Sequence, residues 1–234
     1  MSMETIENTQ EKLILRMDAN YSLANAIRRS IEEIDILAVD EVEIFANDSA
    51  LYDEYLSHRI GLIPLKTDKR MGESTKVEMK LKKKGPCWVY SGDLKGAGKV
   101  VYENIPITLL EEGQEIELIA TATLGKGVQH AKYSPGLCYY RDLVEIKSAK
   151  AEVEKIIRES KGVIKPEKKG NSWVCDLPES DVDKIKEIDK ESIKDAGEII
   201  IFIESWGQIS AKDILSGAVD VLGKNLDMFE KLIK

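Results

Sequence analysis

Residues 20–43, NYSLANAIRRSIEEIDILAVDEVE, decide the fold. Leu23, Ile27, Ile31 and Ile34 recur at spacings of four, four and three, which puts them on one face of an α-helix. Asn20 stands where its side chain can cap the first turn. Arg28 and Arg29 are adjacent inside that helix and project about 100° apart at 3.6 residues per turn. Neither suits the apolar face, because an unpaired guanidinium is costly to bury. The helix therefore buries one face and turns its arginines outward, to water or to another subunit. The period then changes. Val42, Ile44 and Ala46 alternate with Glu41 and Glu43, so residues 36–46 read as a strand. Its first four residues, ILAV, are apolar throughout, which fits a segment covered on both faces.

Upstream, residues 11–18 alternate as a strand, with Leu13, Leu15 and Met17 on one face. Downstream, Asn47, Asp48 and Ser49 form a turn and cap cluster that opens a short helix over residues 50–60. Gly61 ends it, and Pro64 keeps GLIPL extended. His58 and Arg59 lie in its last turn, where positive charge suits the helix dipole. A lone histidine there reads as a structural hydrogen-bonding group rather than a catalyst. Strand character then dominates at residues 76–83, 99–103, 115–123 and 137–148, punctuated by glycine and proline turns. Gly96-x-Gly98 and Gly125-x-Gly127 lack the rest of a dinucleotide fingerprint.

From residue 149 the pattern shifts to charged helices at 149–160 and 180–188, with short strand candidates at 163–164 and 172–174. An apolar strand follows at 197–206, and a final helix at 210–233. In that helix Ala211, Leu215, Ala218, Leu222, Asn225, Phe229 and Leu232 repeat at alternating spacings of four and three, a heptad seam with one polar member. Ile214, Val221 and Ile233 widen the stripe. A helix of about 24 residues spans roughly 36 Å, more than one small domain covers, so part of this face is expected to pack on another chain.

The chain of 234 residues carries a net charge of −8, which argues against non-specific nucleic-acid binding. The lysine runs at 80–84 and 165–169 read as solvated segments. The polar N-terminus has no signal-peptide core, and no run is long enough to cross a bilayer, so a cytoplasmic location is expected. Cys87, Cys138 and Cys175 form no CxxC and signal neither a zinc site nor a disulfide framework.

The segments LANAIRRS, AVDEVEI and DEYLSHRIGLIPLKTD resemble the D-type subunit family of archaeal RNA polymerase. That family is related to the third-largest subunit of eukaryotic RNA polymerase II and to the amino-terminal domain of the bacterial alpha subunit. The resemblance is close over residues 11–68 and extends by pattern to 197–233. It implies an α+β fold. Residues 1–46 and 197–234 would form a discontinuous dimerisation domain of antiparallel sheet plus two helices. Residues 47–146 would be an inserted, mainly β domain, and 147–196 a small ferredoxin-like α/β insert.

The resemblance also implies a role: a platform that heterodimerises with a smaller subunit L and carries the largest and second-largest catalytic subunits, together with subunits N and P. The heterodimer face would comprise Leu23, Ile27, Ile31, Leu215, Ala218, Leu222, Asn225, Phe229 and Leu232. Asn25, Arg28 and Arg29, and less strongly His58 and Arg59, would meet the large subunits. Little or no direct DNA contact and no membrane contact are expected. Many archaeal members hold 4Fe–4S clusters in the insert, but here the insert has only Cys175, and a cluster generally needs four thiolates. No cluster is expected. The catalytic Mg²⁺ would belong to another subunit, since no DxDxD-like cluster is present and Asp40, Glu41 and Glu43 read as the solvent side of a strand.

Two other classes compete. An independent enzyme would need a nucleophile, P-loop or metal cluster, and none stands out in a chain with two histidines. A stand-alone homodimeric nucleic-acid-binding or regulatory protein would show salt-sensitive DNA binding, which the negative charge opposes.

Overall fold

The computed structural model of the chain describes residues 2–72 and 74–234. In chain order the strands and helices are β1 (Met3–Asn8), β2 (Lys12–Met17), α1 (Tyr21–Ser30), β3 (Ile36–Asn47), α2 (Asp53–Gly61), β4 (Lys76–Lys84), β5 (Cys87–Tyr90), β6 (Lys95–Gly96), β7 (Pro106–Leu110), β8 (Glu115–Gly125), β9 (Gly136–Ile146), α3 (Ala151–Glu159), β10 (Glu167–Lys169), β11 (Ser172–Cys175), α4 (Glu179–Ile188), β12 (Ile193–Ser205) and α5 (Ala211–Ile233). A 3₁₀ turn, Ile31–Glu33, follows α1. The fold is α+β with largely antiparallel pairing. It forms two compact units, each assembled from separate stretches of chain.

The first unit takes the N-terminal residues to Asn8, then Lys12–Ala26 and Cys138–Ile203. Its sheet runs β1-β2-β12-β9-β11-β10. From β9 to β12 the element order is β-α-β-β-α-β, with spatial order β12-β9-β11-β10. That is the ferredoxin-like arrangement, and its strands β9 and β12 lie in the same sheet as β1 and β2. Alternation along the strands splits the core in two. Cys175 and Ile146 pack with Val153, Ile157 and Ile185 of α3 and α4. Val174 and Leu143 point the other way, onto Ile14, Ile200 and Phe202. Arg16, 9% exposed, is held by Glu198 at 2.7 Å and by both oxygens of Glu167 at 3.1 Å. These partners satisfy a guanidinium that would otherwise be costly to cover.

The second unit takes Thr9–Glu11, Ile27–Leu137 and Glu204–Lys234. Its sheet order is β3-β8-β4-β6, and β5 pairs with β7. On β4, Val77, Met79 and Leu81 are buried while the intervening residues Glu78, Lys80 and Lys82 face solvent, the period-2 pattern of a half-covered strand. The ILAV start of β3 is covered on both faces: Leu37 and Val39 enter the main core, and Ile36 and Ala38 pack with Tyr133. Leu56 and Ile60 of α2 close the main core.

Several elements depart from the sequence reading. Residues 99–103 do not form a strand, and Val100 makes a single bridge to Leu65. The strand expected at 163–164 lies instead at β10, where Glu167, Lys168 and Lys169 are exposed and held by pairing with β11. β1 is not visible in the pattern, because METIEN carries no clear apolar alternation and draws its place from pairing with β2.

Candidate assembly surfaces

The cap and first turns of α1 follow the sequence. The Leu23 N–H donates to Asn20 Oδ1 at 2.9 Å, so the cap forms. Ala24, Ile27, Ser30 and Ile31 are buried, and Leu23 and Asn25 are half-buried. Arg28 and Arg29 are both exposed at the end of the helix. The expected face holds only as far as Ser30: Ile31 falls in the 3₁₀ turn and Ile34 is extended beyond it, while the covered side of α1 still leaves the two guanidinium groups off it. Ile27 and Ile31, named above for a partner interface, are already covered within the chain.

α5 is a single helix of 23 residues, capped by Ser210, whose Oγ accepts from the Asp213 N–H at 3.1 Å. Its two halves differ. Ala211, Ile214 and Ala218 are fully buried, and Leu215, Val221, Leu222 and Asn225 are half-buried. A side chain at Gly217 would place its Cβ 3.1 Å from Ile34 Cδ1, so glycine permits the close approach of the helix to the turn after α1. Asn225 Nδ2 donates to Glu33 Oε2 at 3.1 Å, which gives the polar member of the seam an intrachain partner. Beyond it the apolar side chains are uncovered: Phe229 is 62% and Leu232 86% exposed.

Leu226, Met228, Ile233 and, one row back, Val219 are exposed beside them. Of these, Val219, Leu226 and Met228 are surface residues the seam reading missed. The signal was present, since Val219, Leu226 and Ile233 repeat every seven residues, as do Ile214, Val221 and Met228. The distal half of α5 thus presents an exposed apolar face over about half of its circumference, with Lys224, Asp227, Glu230, Lys231 and Lys234 on the other side. Contiguous exposed apolar surface of this kind makes the distal half of α5 a candidate interaction surface.

The two α2 candidates separate. Arg59 is exposed, but its Nη2 donates to Pro106 O at 2.6 Å, which ties it to β7 in the same unit. His58 is exposed and lines a hollow of about 220 Å³ together with His130, Asp40 and Lys132. Lys132 Nζ donates to Asp40 at 2.7 Å, and this bond holds the Asp40 carboxyl below the usual carboxylate range. His130 Nδ1 accepts from the Lys132 N–H at 3.1 Å. Among the described residues no group of three or more His, Cys, Asp or Glu side chains is placed to hold a metal ion. No helix among them is long and apolar enough to cross a membrane.

Comparison with known proteins adds the family. A model described as the RNA polymerase Rpb3/RpoA insert domain matches residues 42–137. The DNA-directed RNA polymerase subunit Rpo3 of Thermococcus kodakarensis is 36% identical over 226 residues, covering 88% of this chain and 87% of that protein. The Rpo3 subunit of Pyrococcus furiosus is 35% identical over 93% of this chain and 90% of its own length. That of Methanothermobacter thermautotrophicus is 36% identical over 85% of each chain. With identities at this level sustained over most of both chains, and an insert-domain match that falls on the β-rich second unit, the chain belongs to the Rpo3 family of archaeal DNA-directed RNA polymerase subunits.

Proposed function

We propose that this chain is a non-catalytic assembly subunit of DNA-directed RNA polymerase, which pairs with the smaller subunit L and presents the pair as a platform for the two large subunits and for subunits N and P. The observation that carries the reading is the uncovered distal half of α5. Burying Leu226, Met228, Phe229, Leu232 and Ile233 against a matching helix removes a large apolar area from water, the core-like character of an obligate interface. Arg28 and Arg29 stand off the covered face of a capped, well-anchored helix and offer bidentate contacts to carboxylates of a large subunit. Asn25 stands beside them, and His58 borders a separate hollow that is a weaker second contact. Phosphodiester synthesis then belongs to the complex and its own Mg²⁺ site, and the subunit works in the cytoplasm with little or no DNA contact.

The ferredoxin-like insert does not fit a 4Fe–4S cluster. A cluster of that type takes four thiolates, and the whole chain has three cysteines. Within β9 to β12 Cys175 is buried, and burial, aided by the Asp176 carboxylate, pushes its thiol up to about 12, the opposite of a ligand's acidity. The insert is therefore read as a structural module.

Co-expression with the small alpha-like subunit of the same organism, followed by size exclusion with light scattering, tests the reading. A stable one-to-one heterodimer is expected. A homodimer that ignores that partner would favour a stand-alone dimeric binding protein instead.

A further inference from the structure

Leu62, Tyr102 and Trp206 come from three distant stretches of the second unit, and each is close to half exposed. With Pro64 and Ile105 they wall a cleft of about 350 Å³. Gln208 forms part of its lining and is 4% exposed. Its Nε2 donates to Ser134 O at 3.2 Å, and its Oε1 is buried with no hydrogen-bond partner among the described residues. Reversing the amide would set Oε1 against the Ser134 carbonyl, acceptor against acceptor, so the orphan atom stays an acceptor. A buried acceptor without a donor is uncommon and costly.

The turn that carries Gln208 is firmly built. Gly207 has φ 95°, and a Cβ there would lie 2.4 Å from Val101 Cγ1. Ser205 Oγ accepts from the Gly207 N–H at 2.8 Å, Lys66 Nζ donates to Gly207 O at 2.6 Å, and the Thr67 N–H donates to Gln208 O at 3.0 Å. The charged side chain in the lining, Lys132, is already paired with Asp40 and only 14% exposed. The cleft is thus apolar, electrically neutral and short of one hydrogen-bond donor. It shares Leu62 and Lys132 with the hollow beside His58, so the two run on as one groove.

We propose that this groove docks an extended, uncharged segment of another polymerase subunit, which gives a main-chain N–H to Gln208 Oε1 and lays an aliphatic or proline side chain against Trp206 and Tyr102. An extended peptide fits on three grounds. It supplies an N–H donor at regular intervals, it follows a groove, and it needs no charge partner; a phosphate or a basic side chain finds none here. The proposal rests on the assembly role above and adds a site to it that is separate from α5.

The test replaces Tyr102 with p-benzoylphenylalanine in the full chain, assembles the polymerase and maps the photocross-links by mass spectrometry. The expected result is one contiguous segment of another subunit. Gln208→Met keeps the volume and removes the acceptor, and is expected to cut that cross-link about fivefold. Trp206→Ala, at a position close to half exposed, is expected to do the same. Cross-links confined to this chain or scattered over several subunits overturn the proposal, as does a yield that neither substitution changes. A chain that never enters the polymerase removes the assembly reading and this site with it. A chain that enters normally without a Tyr102 cross-link removes this site alone.

Discussion

An arginine at position 229 is nearly neutral for the isolated chain, because Phe229 is already 62% exposed there. Exposed substitutions of this kind usually stay within about 0.5 kcal/mol. In the proposed heterodimer the same arginine would bury an unpaired charge, at a cost of about 3–5 kcal/mol, and should abolish association. Calorimetry of the lone Phe229→Arg chain should show an unchanged midpoint, and size exclusion with the partner should show no complex. Ala218→Arg, at a fully buried position, should instead unfold the chain itself, so the pair separates interface from core. Cys175 gives a second residue-level prediction. Its thiol is pushed up to about 12, whereas an unfolded chain ionises its thiols near about 8.5. The folded state therefore favours the protonated form, and stability falls as pH rises from about 8.5 towards 12. Cys175→Ala should reduce that alkaline slope in urea titrations, leaving the part due to Tyr21, which Asp142 also raises to about 12, and iodoacetamide at neutral pH should label Cys175 only as fast as the chain opens. An unchanged slope in the alanine variant would show that other groups cause it.

At the scale of elements, α5 divides into a covered and an uncovered half, and hydrogen exchange should read that division. Amides near Ala211–Ala218 sit over buried side chains, whereas those beyond Asn225 have little cover. In the lone chain the distal amides should exchange at least about tenfold faster, and the partner should equalise the two halves, by the order expected for a frayed helix end. Equal protection without a partner would mean that the distal half needs none. The helices and their apolar faces were legible because their periodicity is local: the α1 repeat, its Asn20 cap and the α5 heptads all sit within a few turns of chain. Which half of a heptad helix is covered was not legible, since Ala218 and Phe229 occupy the same seam and differ only in what the rest of the chain lays over them. The same holds for β1 and β10, whose residues become strands through pairing rather than pattern. The groove at Gln208 was out of reach for that reason too, being assembled from stretches of chain far apart in sequence.

At the scale of the whole molecule, the two kinds of surface call for two kinds of partner, and the order of assembly follows from them. The distal α5 face is apolar and large, so it should be satisfied first and permanently, as obligate interfaces are. Arg28 and Arg29 are charged and lie on a different element, so their contacts should govern the later capture of a large subunit and its salt dependence. Arg28→Ala and Arg29→Ala should therefore leave the proposed heterodimer with subunit L intact on size exclusion. In pull-downs with the second-largest subunit, each should weaken capture by about thirtyfold or more, because truncating one partner of an interfacial charge pair costs about 2 kcal/mol or more. The loss should shrink as salt is raised, since screening already weakens the unmutated contact. Should either substitution dissolve the heterodimer instead, the arginine faces subunit L, and α1 rather than α5 would set the first step of assembly.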